Sequence, residues 1–473
     1  SISPPIPTME SPPLKLNVAR DEDRISDLPD ELLLRILARL DLRDAVRAGA
    51  ASTRWRHLPH QLSVLLLGVS RFRRATLVES MDAFAAALLS VCPPAERSCE
   101  CQRSHAIKAL ALCFYLSAPH LSSIGRALED VVSRGKTKWI EFRISPPPGD
   151  NTAPELTEFG QQFMSFCRAY QVAFRWLTSL TLENLAFGDS DVTDLISNCV
   201  KLESLALRAC RMVNFEHSVL KIDTPCSGLQ ELNLVHFVCK RIQLISVPKL
   251  RQASCLIWRF ENPPVRLDYV PDLRHVAIAC LRTHPKAPFK LSECLSRSAL
   301  NLSELHLNFF HQMIWIQPEH PKQLTAIFRN LSNASLSGIF PECDLSWTLF
   351  ILEAAPALQK FGLSRTRHAC ANAWDNNAEK TNVVWDPSKD LKHMNLKSLM
   401  IDGFEEEDKV AAYIWLVVEQ AVGLKRIELR GEVPCKECDA IDPRRSQVDE
   451  ARRHRFKERL THGSSSSVQI IMR

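Results

Sequence analysis

The chain has 473 residues, 45% of them hydrophobic and 24% charged, with a formal net charge of +5, ordinary values for a globular chain long enough for a large core and more than one domain. So mild a charge gives no argument for nucleic acid or a membrane surface, and the longest apolar runs, 62–69 and 413–418, are too short to span a bilayer. The sixteen cysteines are scattered singly, as at Cys113, Cys210, Cys255 and Cys280, which fits free thiols in a reducing compartment, cytosol or nucleus, better than secretion.

Residues 1–23 hold Pro4, Pro5, Pro7, Pro12 and Pro13 with no apolar signal-peptide core, so they read as a disordered lead. The chain begins at Ser1 rather than Met, so processing or a start further upstream is expected. Residues 24–60 then read as three short helices. Leu28-Pro29 with Asp30 and Glu31 forms a helix start, and Leu33, Ile36, Leu37 and Leu40 follow as one apolar stripe. Asp41, with Asp44 three residues on, starts a second helix carrying Leu42, Ala45 and Val46. Ser52 is expected to cap a third, holding Trp55 and Leu58 and closed by Pro59. A module this short has too little interior for its own leucines, so part of its apolar surface is meant for another chain or for the rest of this one.

The set Leu28-Pro29, Ile36-Leu37, Leu40, Asp44-Ala45-Val46, Ser52 and Trp55-Arg56 resembles an F-box, the module that docks substrate adaptors onto the Skp-family subunit of cullin-RING ubiquitin ligases. The resemblance implies that Leu28, Pro29, Ile36, Leu37 and Leu40 touch a Skp-type partner. Trp55 matches the family's tryptophan, as a partner contact or an internal packing residue.

From residue 61 to 390 the pattern L-x-x-L-x-L recurs. Clean copies are Leu177/Leu180/Leu182, Leu202/Leu205/Leu207, Leu229/Leu232/Leu234 and Leu302/Leu305/Leu307, with two more beyond, Leu396/Leu399/Ile401 and Leu424/Ile427/Leu429. Degenerate copies are Ile107/Leu110/Leu112, Trp139/Phe142/Ile144, Leu250/Ala253/Cys255, Leu273/Val276/Ile278, Leu331/Ala334/Leu336 and Leu358/Phe361/Leu363. From 177 to 358 the steps run 25, 27, 21, 23, 29, 29 and 27, the range of a leucine-rich repeat. The longer steps 139 to 177 and 358 to 396 read as repeats with inserted loops, the second one polar and asparagine-rich over 365–382. Each unit is expected to be a short strand, a turn and a helical or irregular return, stacked into one continuous core.

In such strands the residues between the leucines point away from the core. The candidate substrate face is therefore a concave sheet presenting Thr181, Glu183, Arg208, Asn233, His306, Asn308, Asp402, Glu428 and Arg430, a mixed-charge lining suited to a protein partner. Over residues 391–473 the order is strand, acidic turn, amphipathic helix with Ala412, Trp415, Leu416 and Glu419 in phase, Gly423 as its stop, and strand. A basic helix candidate over 443–460 and an edge strand alternating at Val468, Ile470 and Met472 complete it. This stretch resembles the FBD-type region that follows leucine-rich repeats in plant F-box proteins. The whole chain is similar to the plant F-box/leucine-rich-repeat/FBD family.

Chemical motifs do not add a second function. Gly135-Lys136-Thr137 ends like a phosphate loop, but Asp130 stands where its first glycine is required, leaving a basic turn. Cys92, Cys99, Cys101 and His105 are awkwardly spaced for zinc, and Cys435 and Cys438 lack a matching pair. No metal, cofactor or catalytic residue is expected. The expectation is an α/β protein, an F-box followed by a curved parallel-strand solenoid, that works as a non-enzymatic adaptor in an SCF complex. It would bind a Skp-family subunit, through it a cullin, and a target protein, with neither membrane nor nucleic acid as partner. The alternatives are a small-ligand, hormone-type co-receptor within such a complex and a repeat scaffold without a ligase role.

Overall fold

The structure is a computed structural model that describes residues 25, 27–92, 107–258, 263–280, 288–310, 314–365, 383–388, 391–431, 450–461 and 468–473. One sheet of 14 parallel strands, from Val64–Gly68 to Gln469–Met472, runs its length, each strand pairing with the previous and next main-sheet strand in the chain. The register makes the repeat visible. Leu180, Leu205, Leu232, Ala253, Val276, Leu305, Ala334, Phe361, Leu399, Ile427 and Ile470 form one row across eleven strands, all buried. A strand alternates its side chains every residue, so equal offsets from each leucine stack like on like.

The strands Ser398–Asp402, Arg426–Arg430 and Gln469–Met472 continue the same sheet: Lys360 pairs with Ser398, Ser398 with Arg426 and Arg426 with Gln469. The apolar alternation over 468–472 thus forms the C-terminal strand, and the core does not break at residue 390.

The layer behind the sheet changes along the chain. Helices Leu77–Val91, Ala118–Ser133, Ala153–Ala169, Gln171–Arg175 and Asp191–Asn198 back the N-terminal repeats. Thr76 and Glu79 cap the first of these reciprocally, Glu79 N–H donating to Thr76 Oγ1 at 3.1 Å. The middle repeats return as strands instead, and Val219–Asp223, Arg241–Ser246 and Val265–Tyr269 form a parallel three-stranded sheet. Its Ile242, Leu244, Val265 and Leu267 face Leu232, Leu234, Ala253 and Cys255 of the main sheet. Helices Pro321–Phe328, Leu349–Ala354 and Asp408–Gln420 resume behind the C-terminal part.

Large aromatics fill the helical parts. Phe114 touches Phe84, Phe142 and Phe166, and Trp315 touches Trp258, Phe289 and Phe309, with ring centroids 5.0–6.3 Å apart.

The sheet's other regularity is a row of left-handed residues near the ends of strands, with φ between 49° and 67°: Asn184, Ala209, His236, Phe310 and Gly403 lie just past their strands, and Ile257 and Gly338 sit at irregularities in the last residues of theirs. Asn184 N–H donates to Arg208 O, Ala209 N–H to Val235 O and His236 N–H to Leu256 O, so the ladder extends into the turn. Several of the repeats therefore leave the sheet by the same sharp bend.

Four expectations need correcting. The step from 139 to 177 carries two helices, not a loop. Trp139 is exposed rather than a core position, because its strand already begins there and alternation turns Trp139, Glu141 and Arg143 outward while Ile140, Phe142 and Ile144 point in. In the helix Asp408–Gln420 the buried face is Val410, Ala411, Ile414 and Val417, not the Ala412/Trp415/Leu416/Glu419 set, since contact with the sheet, rather than spacing alone, picks the inward stripe. That helix ends at Gln420. Gly423 has ordinary backbone angles, but a Cβ there would collide with Met394 O, so it permits a close approach rather than a left-handed cap.

In the N-terminal module, Asp30–Leu37 and Leu42–Ala51 are helical, and Asp41 caps the second by accepting from Arg43 N–H at 2.8 Å. There is no third α-helix: turns lead to a 3₁₀ segment, Leu58–Gln61, that contains Pro59 rather than ending at it. Proline lacks the N–H that would continue an α-helical ladder. Leu33, Leu37, Leu42, Ala45 and Leu58 join the same core as Leu65 and Leu67 of the first strand, so this module closes one end of the solenoid.

Candidate functional site

Two surfaces stand out. The first is the outer side of the N-terminal module, where Ile25, Leu32, Ile36, Leu40 and Val46 are each 37–55% exposed. Leu32 and Ile36, four residues apart, share one helix face, and Leu33 and Leu37, also four apart, share the adjoining buried one. Of the sequence-derived partner residues, Pro29, Ile36 and Leu40 are exposed and Leu28 and Trp55 are half-buried.

Leu37 must be removed from that set, being only 1% exposed. A stripe spaced i, i+3, i+4, i+7 is wide enough to straddle both faces, and Leu37 falls on the inner one. Leu32 is exposed on that helix instead, and Val46 on the next. Arg54 fixes the Leu28-Pro29 corner by donating to Leu28 O at 2.8 Å and pairing with Asp30 at 3.2 Å.

The second surface is the open face of the main sheet, graded along its length. At the N-terminal end Val64, Ala109 and Trp139 stand in one register row and Leu66 beside Ala111 in the next, an apolar area with Val64, Leu66 and Trp139 all exposed. The centre is small and polar, with Ala206, Asn233, Ser254, Ala277, His306, Ser335 and Gly362 in one row. The C-terminal end is charged. The sequence reading captured the middle and the end; the apolar start lies in strands whose repeat pattern is weak.

The proposed face residues do not all present themselves. Glu183, Arg208, Asn233, His306, Asp402 and Arg430 are exposed or half-buried, with Arg208 pairing Glu183 at 3.8 Å. Thr181, standing between Arg143 and Ala206 in register, is buried and is not a contact residue. Asn308 is turned to its own backbone: its Oδ1 accepts from Phe310 N–H at 2.9 Å, supporting the left-handed bend there.

Glu428 is likewise covered. Arg426 and Arg430 reach its carboxylate at 2.9 Å and Arg473 at 3.4 Å. These guanidinium groups, Arg430 foremost, hold its carboxyl below the usual carboxylate range. Asp402, 3.8 Å from Arg430, is pushed up by burial and by Glu428, against the pull of Arg430.

The cysteine and histidine sets weighed for zinc fall largely in 93–106 and 432–449, outside the described residues; Cys92 itself is buried, and burial pushes its thiol up to about 12. Among the described residues no helix is long and apolar enough to cross a membrane.

The comparisons with known proteins agree with this layout. The family described as At1g61320/AtMIF1, LRR domain, matches residues 159–465, and the F-box-like family matches residues 25–62. An FBD-associated F-box protein of Arabidopsis thaliana, At5g56820, is 26% identical over 279 residues, 58% of this chain and 56% of that protein. The F-box/FBD/LRR-repeat protein At5g22660 of the same plant is 32% identical over 196 residues, 39% of this chain and 40% of that protein. The MEIOTIC F-BOX protein MOF of Oryza sativa subsp. japonica is 49% identical over 51 residues, 11% of each chain. The chain thus spans about half the length of the longer-matched curated relatives, at 56% and 40%. With an F-box-like module on a repeat sheet that continues without a break into an FBD-like end, the chain belongs to the At1g61320/AtMIF1 leucine-rich-repeat family and is a plant-type F-box/leucine-rich-repeat protein.

Proposed function

We propose that this protein is the substrate-recognition adaptor of an SCF-type, cullin-RING ubiquitin ligase, acting in the cytoplasm or nucleus. The F-box-like module docks a Skp-family subunit and through it a cullin, and the open face of the repeats holds the target protein. The chain does no chemistry of its own; it supplies proximity and orientation to active residues on other chains. The observation that carries this reading is the exposed set Ile25, Leu32, Ile36, Leu40 and Val46 on a module whose Leu33, Leu37, Leu42, Ala45 and Leu58 are buried against the solenoid. An apolar patch of that kind on a charged surface marks a protein interface.

Co-expression with a Skp-family subunit followed by size-exclusion chromatography tests it. Wild type is expected to co-elute with the subunit, and a Pro29→Ala, Leu32→Ala, Ile36→Ala variant to elute alone while still folded. If both versions ignore the subunit, the ligase reading falls and a repeat scaffold remains.

A second reading, a small anionic ligand held beside the target, is favoured by one feature. An open cleft of about 590 Å³ is lined by Lys108, Lys136, Lys138 and Lys201, with Lys201 Nζ 3.2 Å above the Trp176 ring. It predicts target binding that depends on the ligand and on these lysines.

A further inference from the structure

Two neighbouring strands of the open face bring the donor atoms of two histidines and a glutamate together. His275 and Glu304 are direct register partners, and His306 lies two residues along from Glu304 on the same face. His275 Nδ1 is 3.0 Å from Glu304 Oε2, and His306 Nε2 is 3.9 Å from the same oxygen. The two imidazole rings lie 4.9 Å apart, and one donor atom from each of the three residues falls within 4.8 Å of the others.

A tetrahedral ion with bonds of about 2.0–2.1 Å needs donors about 3.3 Å apart, and the observed separations bracket that value. Two imidazoles and one carboxylate are a borderline-soft set, suited to zinc and its neighbours rather than to calcium or magnesium, which prefer oxygen shells. The strands that present the donors are fixed by the ladder on both sides, so closing around an ion calls for rotamer adjustment only.

We propose that His275, Glu304 and His306 form a binding site for a divalent transition-metal ion of the zinc class, on the open face of the repeat sheet. Three protein donors leave a coordination position open toward the groove, for water or for a donor side chain of whatever protein lies there. Glu304 supplies the one negative charge at the centre. The same groups without an ion form only a half-exposed histidine–carboxylate pair, so the alternative is a plain surface ion pair.

The test is zinc titration of the full chain by calorimetry, comparing wild type with a His275→Ala/His306→Ala double variant. Cysteines elsewhere can bind zinc, so the readout is the difference between the two proteins. Wild type is expected to take one equivalent more than the double variant, and Glu304→Gln to keep that equivalent with affinity at least tenfold weaker. Should the double variant fold poorly, His306→Gln, whose side chain is 45% exposed, reads the same loss. Equal stoichiometry and affinity in wild type and variant, or no zinc uptake by wild type, overturns the proposal. Skp-subunit binding is not involved in either arm, so the adaptor reading stands or falls separately.

Discussion

Single residues in this chain are held by two opposite kinds of environment, and each makes a prediction. Buried thiols are one: burial pushes Cys210 and Cys239 up to about 12, so they behave as small core hydrophobes, whereas Cys226 is exposed. A thiol-specific reagent at neutral pH is expected to modify Cys226 in the native protein and to reach Cys92, Cys210 and Cys239 only in denaturant, as peptide mapping would show. For Cys210, Cys255 and Cys280 the core position was legible in the sequence, because each sits in an apolar strand or just past one.

Gly403 is the other kind, a backbone constraint no pattern reveals. Its φ is +67°, and a Cβ there would run into the Arg365 carbonyl. Gly403→Ala is expected to cost at least about 1–3 kcal/mol in a urea melt. The Glu428 cluster supplies a pH dependence. Its folded pKa lies below the unfolded value, so its contribution is present above about pH 4.3 and is lost as pH falls through the folded value. The gap in melting temperature between wild type and Glu428→Gln should be full at pH 7 and close only as pH falls through the lowered folded value. A gap that persists at low pH would show that Glu428 acts through packing alone.

Among elements, the first helix of the N-terminal module shows how far periodicity reaches. The sequence located the helix start at Leu28-Pro29 and the second start at Asp41, because capping chemistry is local. It did not divide the stripe, because which side faces in is set by the first strand of the solenoid, not by the helix. Leu37→Ala removes a 1%-exposed side chain and should lower stability by about 2–5 kcal/mol, while Ile36→Ala, at 42% exposure, should cost less than about 1 kcal/mol. Paired denaturation curves decide it; equal losses would mean that both residues are core.

The return segments show the same limit. A strand return over 219–223, 241–246 and 265–269 and a helical return elsewhere both satisfy the repeat, and only the fit between facing layers selects one. The histidine site was within reach of sequence arithmetic. His275 and Glu304 follow Leu273 and Leu302 at the same offset of two, and parallel stacking then makes them neighbours. The sequence reading placed His306 on the face without extending the comparison to the adjacent repeat.

At the scale of the whole molecule, the core is continuous from Leu33 to Ile470, so the terminal modules are parts of the solenoid rather than appendages. In hydrogen exchange, amides of the Leu42–Ala51 helix and the Val64–Gly68 strand are expected to lose protection together, with the central strands exchanging last. Exchange of the helix at much lower denaturant than the strand would show the two to be separate units.

The sequence by itself determined the repeat, its strand positions and the inward leucines, since a period of two along the strand and some 21 to 29 residues between strands leave little choice once the copies are aligned. It also determined the N-terminal module and its kinship. Only the tertiary structure decided which leucines of that module turn inward and that Thr181, Asn308 and Glu428 are spent on the protein's own packing and turns. The inward turn of the leucines depends on which strand lies across the chain, and the local pairs, Asn308 with Phe310 and Glu428 with Arg426 and Arg430, depend on rotamers and backbone angles that residue spacing does not specify.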